Sequence, residues 1–169
     1  NQSPANLLAV HNERVEYKWK FKLDAGFKPS GDFTHIHQIK PIDGPNTLPI
    51  ITLTPRYKAS GDVMQVIHQD NDTTTPQAYL AQIPLSGFKG EWVEVTEKIK
   101  FSFNGGYEIL IKRISDGAIL LNQSFSGIEM WRTGTTTSRP KWGIYRRTLN
   151  PAIMRDETVW FNDFSITEY

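Results

Sequence analysis

The segment FTHIHQIK, residues 33–40, holds the densest group of side chains able to do chemistry. Simple strand alternation predicts His35 and His37 on one face and Gln38 and Lys40 on the other. Imidazole changes charge near neutral pH and can act as an acid or a base, while amide and ammonium groups donate hydrogen bonds to an anion. A strand with polar side chains on both faces is either bulged or lines a site.

A metal site built on His35 and His37 would need a third ligand. The only other histidines are His11 and His68, and nothing in the sequence places them nearby. The chain has no cysteine, which excludes disulfides and thiolate metal sites. We therefore expect no metal and no other cofactor, with Asp163 as a calcium-ligand candidate that rests on one carboxylate alone.

The composition is that of a folded, aromatic-rich protein. The chain has 169 residues, of which 38% are hydrophobic, with 5 Trp, 6 Tyr and 9 Phe, and this length suits one domain over residues 1–169. A net charge of +1 with scattered cations argues against a nucleic-acid partner. No apolar run approaches the ~20 residues needed to span a bilayer, so we expect no membrane partner.

Period-two hydrophobic patterns dominate the chain. The segment VEYKWKFKL, residues 15–23, alternates apolar and charged side chains without a break, which predicts a strand with one buried face. Turn signals such as Asp116-Gly117 separate further strands, and no long pattern has a helical period. Nine strands are predicted, at residues 15–23, 33–40, 49–56, 62–69, 91–102, 107–114, 118–125, 141–147 and 158–166. Their number and spacing indicate an all-β sandwich or jelly roll, one sheet of which can curve into a groove.

Several blocks carry a resemblance to a known family. They are SPANL (3–7), YKWKFKLDAGFKPSGDFTHIHQIK (17–40), LPIITLTPR (48–56), RPKWGIYRR (139–147) and RDETVWFNDFSI (155–166). Together they resemble secreted polysaccharide lyases of the β-jelly-roll, concanavalin-like type: glucuronan lyases of polysaccharide lyase family 20 and, more remotely, alginate lyases and heparinases. The resemblance covers nearly the whole chain and implies two antiparallel sheets with a concave groove.

In alginate lyases of this fold, a Gln-x-His strand and a Lys-x-Gly-x-Tyr strand lie side by side in the groove. Residues 38–40 resemble the first motif, with Lys40 where the histidine would stand, and Lys141 to Tyr145 resemble the second. The substitution leaves the base open, and His35 or His37 is the alternative imidazole. A bulge would be needed to bring either of them to the same face as Gln38.

The activity that this resemblance implies is β-elimination on a uronate-containing polysaccharide. The substrate carboxylate must be neutralised by hydrogen-bond donors or cations, for which Gln38, Lys40, Arg56 and Arg146 are candidates. Tyr145 is the candidate base, proton donor or both. Candidates for further substrate contacts are Lys141 and Trp131, the tryptophan judged most exposed because a Thr-rich loop follows it.

The family's Arg-x-Glu strand has a weak counterpart in Arg14-Val15-Glu16. In the relatives, an Arg-rich strand precedes the SPANL-like segment, a position that would fall before residue 1. The expectation is therefore either a chain that lacks its first strands or a shorter member of the group.

Sequons at Asn1, Asn71 and Asn122 are compatible with N-glycosylation of a secreted, extracellular glycoprotein. Two alternatives to a lyase stay open, because a fold does not fix a function. One is a non-catalytic, lectin-like carbohydrate-binding domain that uses the same groove. The other is an extracellular structural protein. The sequence gives no oligomeric state.

Overall fold

The structure, a computed structural model, describes residues 7–73, 78–149, 152 and 154–169. The strands are β1 (Arg14–Leu23), β2 (Thr34–Pro41), β3 (Ile51–Arg56), β4 (Val63–His68), β5 (Ala78–Pro84), β6 (Trp92–Lys100), β7 (Gly105–Arg113), β8 (Ile119–Ile128), β9 (Ser138–Arg146) and β10 (Val159–Glu168). A short 3-10 turn occupies Leu85–Gly87. None of the described residues forms a helix of the length and hydrophobicity that a membrane span requires.

The ten strands form two antiparallel five-stranded sheets. The back sheet has the order β10-β1-β6-β7-β8, and the cleft sheet has the order β5-β4-β3-β2-β9. The predicted all-β sandwich is confirmed. The predicted hairpin around Asp116-Gly117 is also confirmed, since β7 and β8 pair on either side of it.

Strand β1 shows why the sheets stack. Its odd-numbered residues from Val15 to Leu23 are at most 1% exposed, while its lysines lie on the outer face. There Lys18 lies 3.4 Å from Glu94 and Lys20 lies 2.6 Å from Asp163. Burying one apolar face per sheet contributes roughly 1.5–3 kcal/mol for each large side chain. The alternation therefore fixes which face of the sheet packs inward.

The cleft sheet is buried on both faces at its centre. Strands β3 and β4 contain almost continuous runs of buried residues, polar ones among them. Thr52 is 4% exposed and Gln65 is 1% exposed, and the amide of Gln65 donates to Gln82 Oε1 at 2.7 Å. Polar side chains on the face turned away from the core indicate a sheet that floors a polar cavity.

Candidate functional site

A cleft of about 670 Å³ lies on the face of the cleft sheet that points away from the core. Strands β2, β3 and β9 supply most of its floor. Its lining residues are Phe33, His35, Gln38, Lys40, Thr47, Leu48, Pro49, Thr52, Arg56, Ile67, Gln69, Lys141, Tyr145 and Arg147. Six residues predicted for a site on sequence grounds, namely His35, Gln38, Lys40, Arg56, Lys141 and Tyr145, are thus brought together along one surface.

An irregularity between β2 and β9 shapes this floor. His35 pairs with Tyr145 and His37 pairs with Trp142, so one intervening residue of β2 lies opposite two intervening residues of β9. Gly143 lies in the longer segment at φ +140, a backbone conformation that L side chains rarely adopt. A Cβ there would meet no atom within 4 Å, so the backbone angle and not space favours glycine.

The irregularity also interrupts the alternation of β2. Ile36, His37 and Ile39 are all buried on the core side, whereas His35 and Gln38 line the cleft. The bulge that would bring one imidazole to the face of Gln38 is therefore present. It brings His35 to that face and leaves His37 on the core side.

His35 sits in an aromatic wall of the cleft. Its ring stacks on Phe33 with centroids 4.6 Å apart at 11°, and its centroid lies 6.1 Å from that of Tyr145. Burial, with the positive charge of Arg56 as a second cause, lowers the pKa of His35 to about 4. The imidazole is therefore neutral at neutral pH and has a lone pair that can accept a proton.

Tyr145 is more exposed than its neighbour His35. Its side chain is 63% exposed, and its ring lies 5.3 Å from that of Phe33. The phenol is both a donor and an acceptor of hydrogen bonds. A proton acceptor and a proton donor thus stand side by side at one end of the cleft.

The charge of the cleft is one-sided. Lys40, Arg56, Lys141 and Arg147 are among its lining residues, and no Asp or Glu is. The Lys40 ammonium donates to the Thr47 carbonyl at 3.0 Å, and burial, helped by the charge of Lys141, lowers its pKa. Closely spaced cations without a carboxylate in the same cavity attract an anionic ligand.

Three predicted site residues lie elsewhere. The His37 side chain is 0% exposed and lies 2.9 Å from Glu97 between the sheets. Trp131 is 4% exposed, which corrects the expectation of a surface platform. Arg146 donates to the Arg155 carbonyl at 2.7 Å and is absent from the lining, whereas Arg147, two residues from Tyr145, is present.

Arg147 and Phe33 were missed although the sequence contained their signal. Each lies two residues from a predicted site residue on the same strand or its extension, which places them on the same face. Arg147 sits at the cleft rim, where its guanidinium is 3.8 Å from Asp32.

The sequence-based proposals for modification and metal binding map as follows. Asn71 is exposed in the turn after β4 and accepts a hydrogen bond from the Thr73 amide at 3.1 Å. Asn122 is exposed on β8, and Asn1 lies outside the described residues. Among the residues described, no three His, Asp or Glu side chains cluster so as to hold a metal ion. Asp163 is engaged by Lys20.

A fully buried carboxylate under the cleft was also missed. Glu97 of β6 accepts from Trp19 Nε1 at 3.1 Å and from the Tyr107 hydroxyl at 2.7 Å, with His37 on its third side. Burial alone would raise its pKa, but the charge of His37 and these hydrogen bonds outweigh it, so the pKa of Glu97 is lowered. The signal was a glutamate at a core-facing position of an otherwise alternating strand.

Comparison with solved structures identifies the fold class as that of the jelly-roll polysaccharide lyases. The chain superimposes on endo-β-1,4-glucuronan lyase from the fungus Trichoderma reesei with a TM-score of 0.61 at 15% identity, covering 95% of this chain and 71% of that one. The alginate lyase A1-II′ of polysaccharide lyase family 7 gives 0.65 at 11% identity, covering 98% and 66%. The PL-14 alginate lyase from Aplysia kurodai gives 0.58 at 12% identity, covering 94% and 71%.

These similarities define a shared fold, as the sequence resemblance predicted. The chain spans between 66% and 71% of the length of the three lyases. No protein-family model matches the sequence, and no curated protein matches it.

Proposed function

We propose that this chain binds an acidic, uronate-containing polysaccharide in the cleft and cleaves it by β-elimination. The observation that carries the proposal is the charge of the cleft, whose lining includes four Lys and Arg residues and no carboxylate. A polymer with a carboxylate on its sugars complements this surface. The shared fold with glucuronan and alginate lyases supports the same substrate class.

The proposed reaction assigns a role to each group at one end of the cleft. Gln38 and Arg56 hold the substrate carboxylate and stabilise the negative charge that develops when the adjacent C5–H is broken. The neutral imidazole of His35 takes the C5 proton. The electron pair forms the C4–C5 double bond, the bond from C4 to the linking oxygen breaks, and Tyr145 protonates that oxygen. Transfer of the proton from His35 to the tyrosinate restores both groups.

Lys40, Lys141 and Arg147 extend the cationic surface beyond the reacting sugar. Their proposed role is to bind neighbouring uronates, which raises affinity without entering the chemistry. Exposed sequons at Asn71 and Asn122 support our placing this function outside the cell.

A binding-only function in the same cleft is the second candidate. The observation that favours it is the limited access to two groups of the mechanism, since Gln38 is only 7% exposed and Nδ1 of His35 is buried with no hydrogen-bond partner in the described structure. A lectin needs only the cations and the exposed aromatic ring of Tyr145.

Ultraviolet absorbance of the unsaturated uronate product, measured with glucuronan, alginate and other polyuronates, tests the proposal. A rise that is lost in Tyr145→Phe supports the lyase. Tight binding without a rise supports the lectin-like function. Absence of both overturns a carbohydrate function and favours a structural role.

A further inference from the structure

A buried network joins the two sheets directly beneath the proposed active end of the cleft. Glu97 in the back sheet receives hydrogen bonds from Trp19 and Tyr107 of the same sheet, and His37 approaches it from the cleft sheet. The Trp19 ring packs against that of His37 with centroids 5.0 Å apart. The core therefore contains a polar contact between the two sheets at the position where β2 is irregular.

Both nitrogens of His37 face acceptors. Nε2 lies 2.9 Å from Glu97 Oε2, and Nδ1 lies 3.1 Å from the carbonyl oxygen of Lys141 in β9. A carbonyl oxygen only accepts, so Nδ1 carries the hydrogen in this contact, whereas Nε2 is close to the carboxylate without meeting hydrogen-bond geometry.

The carbonyl that His37 reaches belongs to the segment with the altered register. Residues 141–145 contain Gly143, and they begin and end with the cleft residues Lys141 and Tyr145. A hydrogen bond at Lys141 therefore fixes one end of the segment that aims Tyr145. The same hydrogen bond ties β9 to β2, the strand on which His35 and Gln38 lie on either side of the irregularity.

We propose that His37 is a positioning residue, which holds the β9 segment through its Nδ1 hydrogen bond to Lys141 and so places Tyr145 beside His35. This inference deepens the function proposed above and rests on it for its effect on turnover. It differs from a packing role because it assigns the effect to one hydrogen bond of the ring.

Two substitutions separate the two ring nitrogens. In His37→Asn the short amide can occupy the place of Nδ1 and donate to Lys141, whereas in His37→Gln the longer amide can occupy the place of Nε2 and donate to Glu97. Tyr107→Phe is the matched control, because it removes a hydrogen bond from the same carboxylate without touching β2 or β9.

Amide hydrogen exchange of residues 142–146 in the free protein is the first measurement. We expect His37→Gln to accelerate exchange about tenfold, since one net hydrogen bond is lost, while His37→Asn and Tyr107→Phe stay near the wild type. In turnover of a polyuronate, His37→Gln should lower kcat about tenfold with KM little changed. His37→Asn should restore most of kcat.

Equal exchange in both His37 variants, or faster exchange in Tyr107→Phe as well, would overturn the positioning role. If the His37 variants do not fold, Glu97→Gln provides the test, because a neutral His37 can still donate its Nδ1–H to the Lys141 carbonyl. Amide exchange in β9 of this variant should match the wild type. Faster exchange would contradict the proposal. If the wild-type protein neither binds nor cleaves polyuronates, the proposed function is refuted. The positioning role of His37 is still tested, because the exchange measurements need no substrate.

Discussion

His35 and Tyr145 are direct partners across the β2–β9 ladder, and their ring centroids are 6.1 Å apart. His35 is mostly buried and Tyr145 is 63% exposed, so a neutral imidazole in the aromatic wall stands next to a phenol that is open to the cleft. The proposed reaction depends on this pairing.

Tyr145→Phe removes the proposed proton donor while keeping the ring. We expect kcat for release of unsaturated uronate to fall by about 10²–10⁴-fold, the usual contribution of an acid or base, with KM within about threefold of the wild type. Tyr79→Phe on the edge strand β5 is the control, because that tyrosine is exposed and outside the cleft. Undiminished kcat in Tyr145→Phe would remove the tyrosine from the mechanism.

Titration of His35 should show its buried position directly. Its pKa of about 4 lies below the ordinary value of 6.5, so the unfolded chain binds the proton more tightly than the folded one. Above pH 6.5 this group does not lower the free energy of unfolding. As the pH falls from 6.5 to about 4, the free energy of unfolding decreases by on the order of 3 kcal/mol. The NMR shift of the His35 ring protons against pH measures the midpoint.

The rate of turnover should depend on the protonation of the same residue, His35. Activity is expected to fall in acid with a midpoint near pH 4, because the protonated imidazole cannot accept the C5 proton. Arg56→Gln should raise the NMR midpoint, since the charge of Arg56 is the second cause of the low pKa. A midpoint near 6.5 in the wild type contradicts the buried, neutral base.

The cations of the cleft should control affinity. Lys141→Gln or Arg56→Gln is expected to weaken oligouronate binding about tenfold at low salt, because a hydrogen bond to a charged group contributes roughly 1.5–3 kcal/mol, and the difference should shrink as salt screens the charges. Lys112→Gln is the control, since Lys112 is exposed on β7 of the back sheet. Calorimetry at two salt concentrations measures both effects, and equal losses at Lys112 and Lys141 would exclude the cleft as the specific binding surface.

Arg132 should be a structural residue with a large effect on stability. Its guanidinium is buried and donates to the carbonyls of Pro45, Leu48, Pro49 and Gln69 and to the carboxylate of Asp72. Arg132→Ala strands these acceptors, so we expect a loss of about 3–5 kcal/mol in the free energy of unfolding.

Arg113→Ala provides the comparison for Arg132. Arg113 pairs with Asp116 at 2.5 Å in an exposed turn, where an ion pair contributes little to stability because water screens the charges. Urea denaturation followed by tryptophan fluorescence measures both variants. Similar losses of stability in Arg132→Ala and Arg113→Ala would mean that the buried guanidinium contributes no more to stability than a surface ion pair does.

Strand alternation predicted the back sheet well, because each of its central strands has one solvent-exposed and one buried face. Strand β5 was missed for the opposite reason. Its side chains are all exposed or partly exposed, and the register against β4 shifts between Val66 and Ile67, so no period-two pattern survives in the sequence.

The location of the candidate site was predictable in part. Gln38, Lys141 and Tyr145 follow from the resemblance, and the cleft contains them. The separation of His35 from His37 depends on a register shift between β2 and β9, which are far apart in sequence, and local periodicity does not reveal it. Trp131 was misplaced because its polar neighbours suggested exposure, whereas Arg132 turns inward to bind backbone carbonyls.

The position of β9 at the end of the cleft sheet has a consequence for how this protein can change. Among the described strands β9 is hydrogen-bonded to β2 alone, yet it carries Lys141 and Tyr145. Local opening of this edge would displace both side chains of the proposed site and would also pull Trp142 away from the core. Substitutions at its exposed positions, Lys141 and Tyr145, can therefore change the proposed ligand contacts without removing a buried side chain.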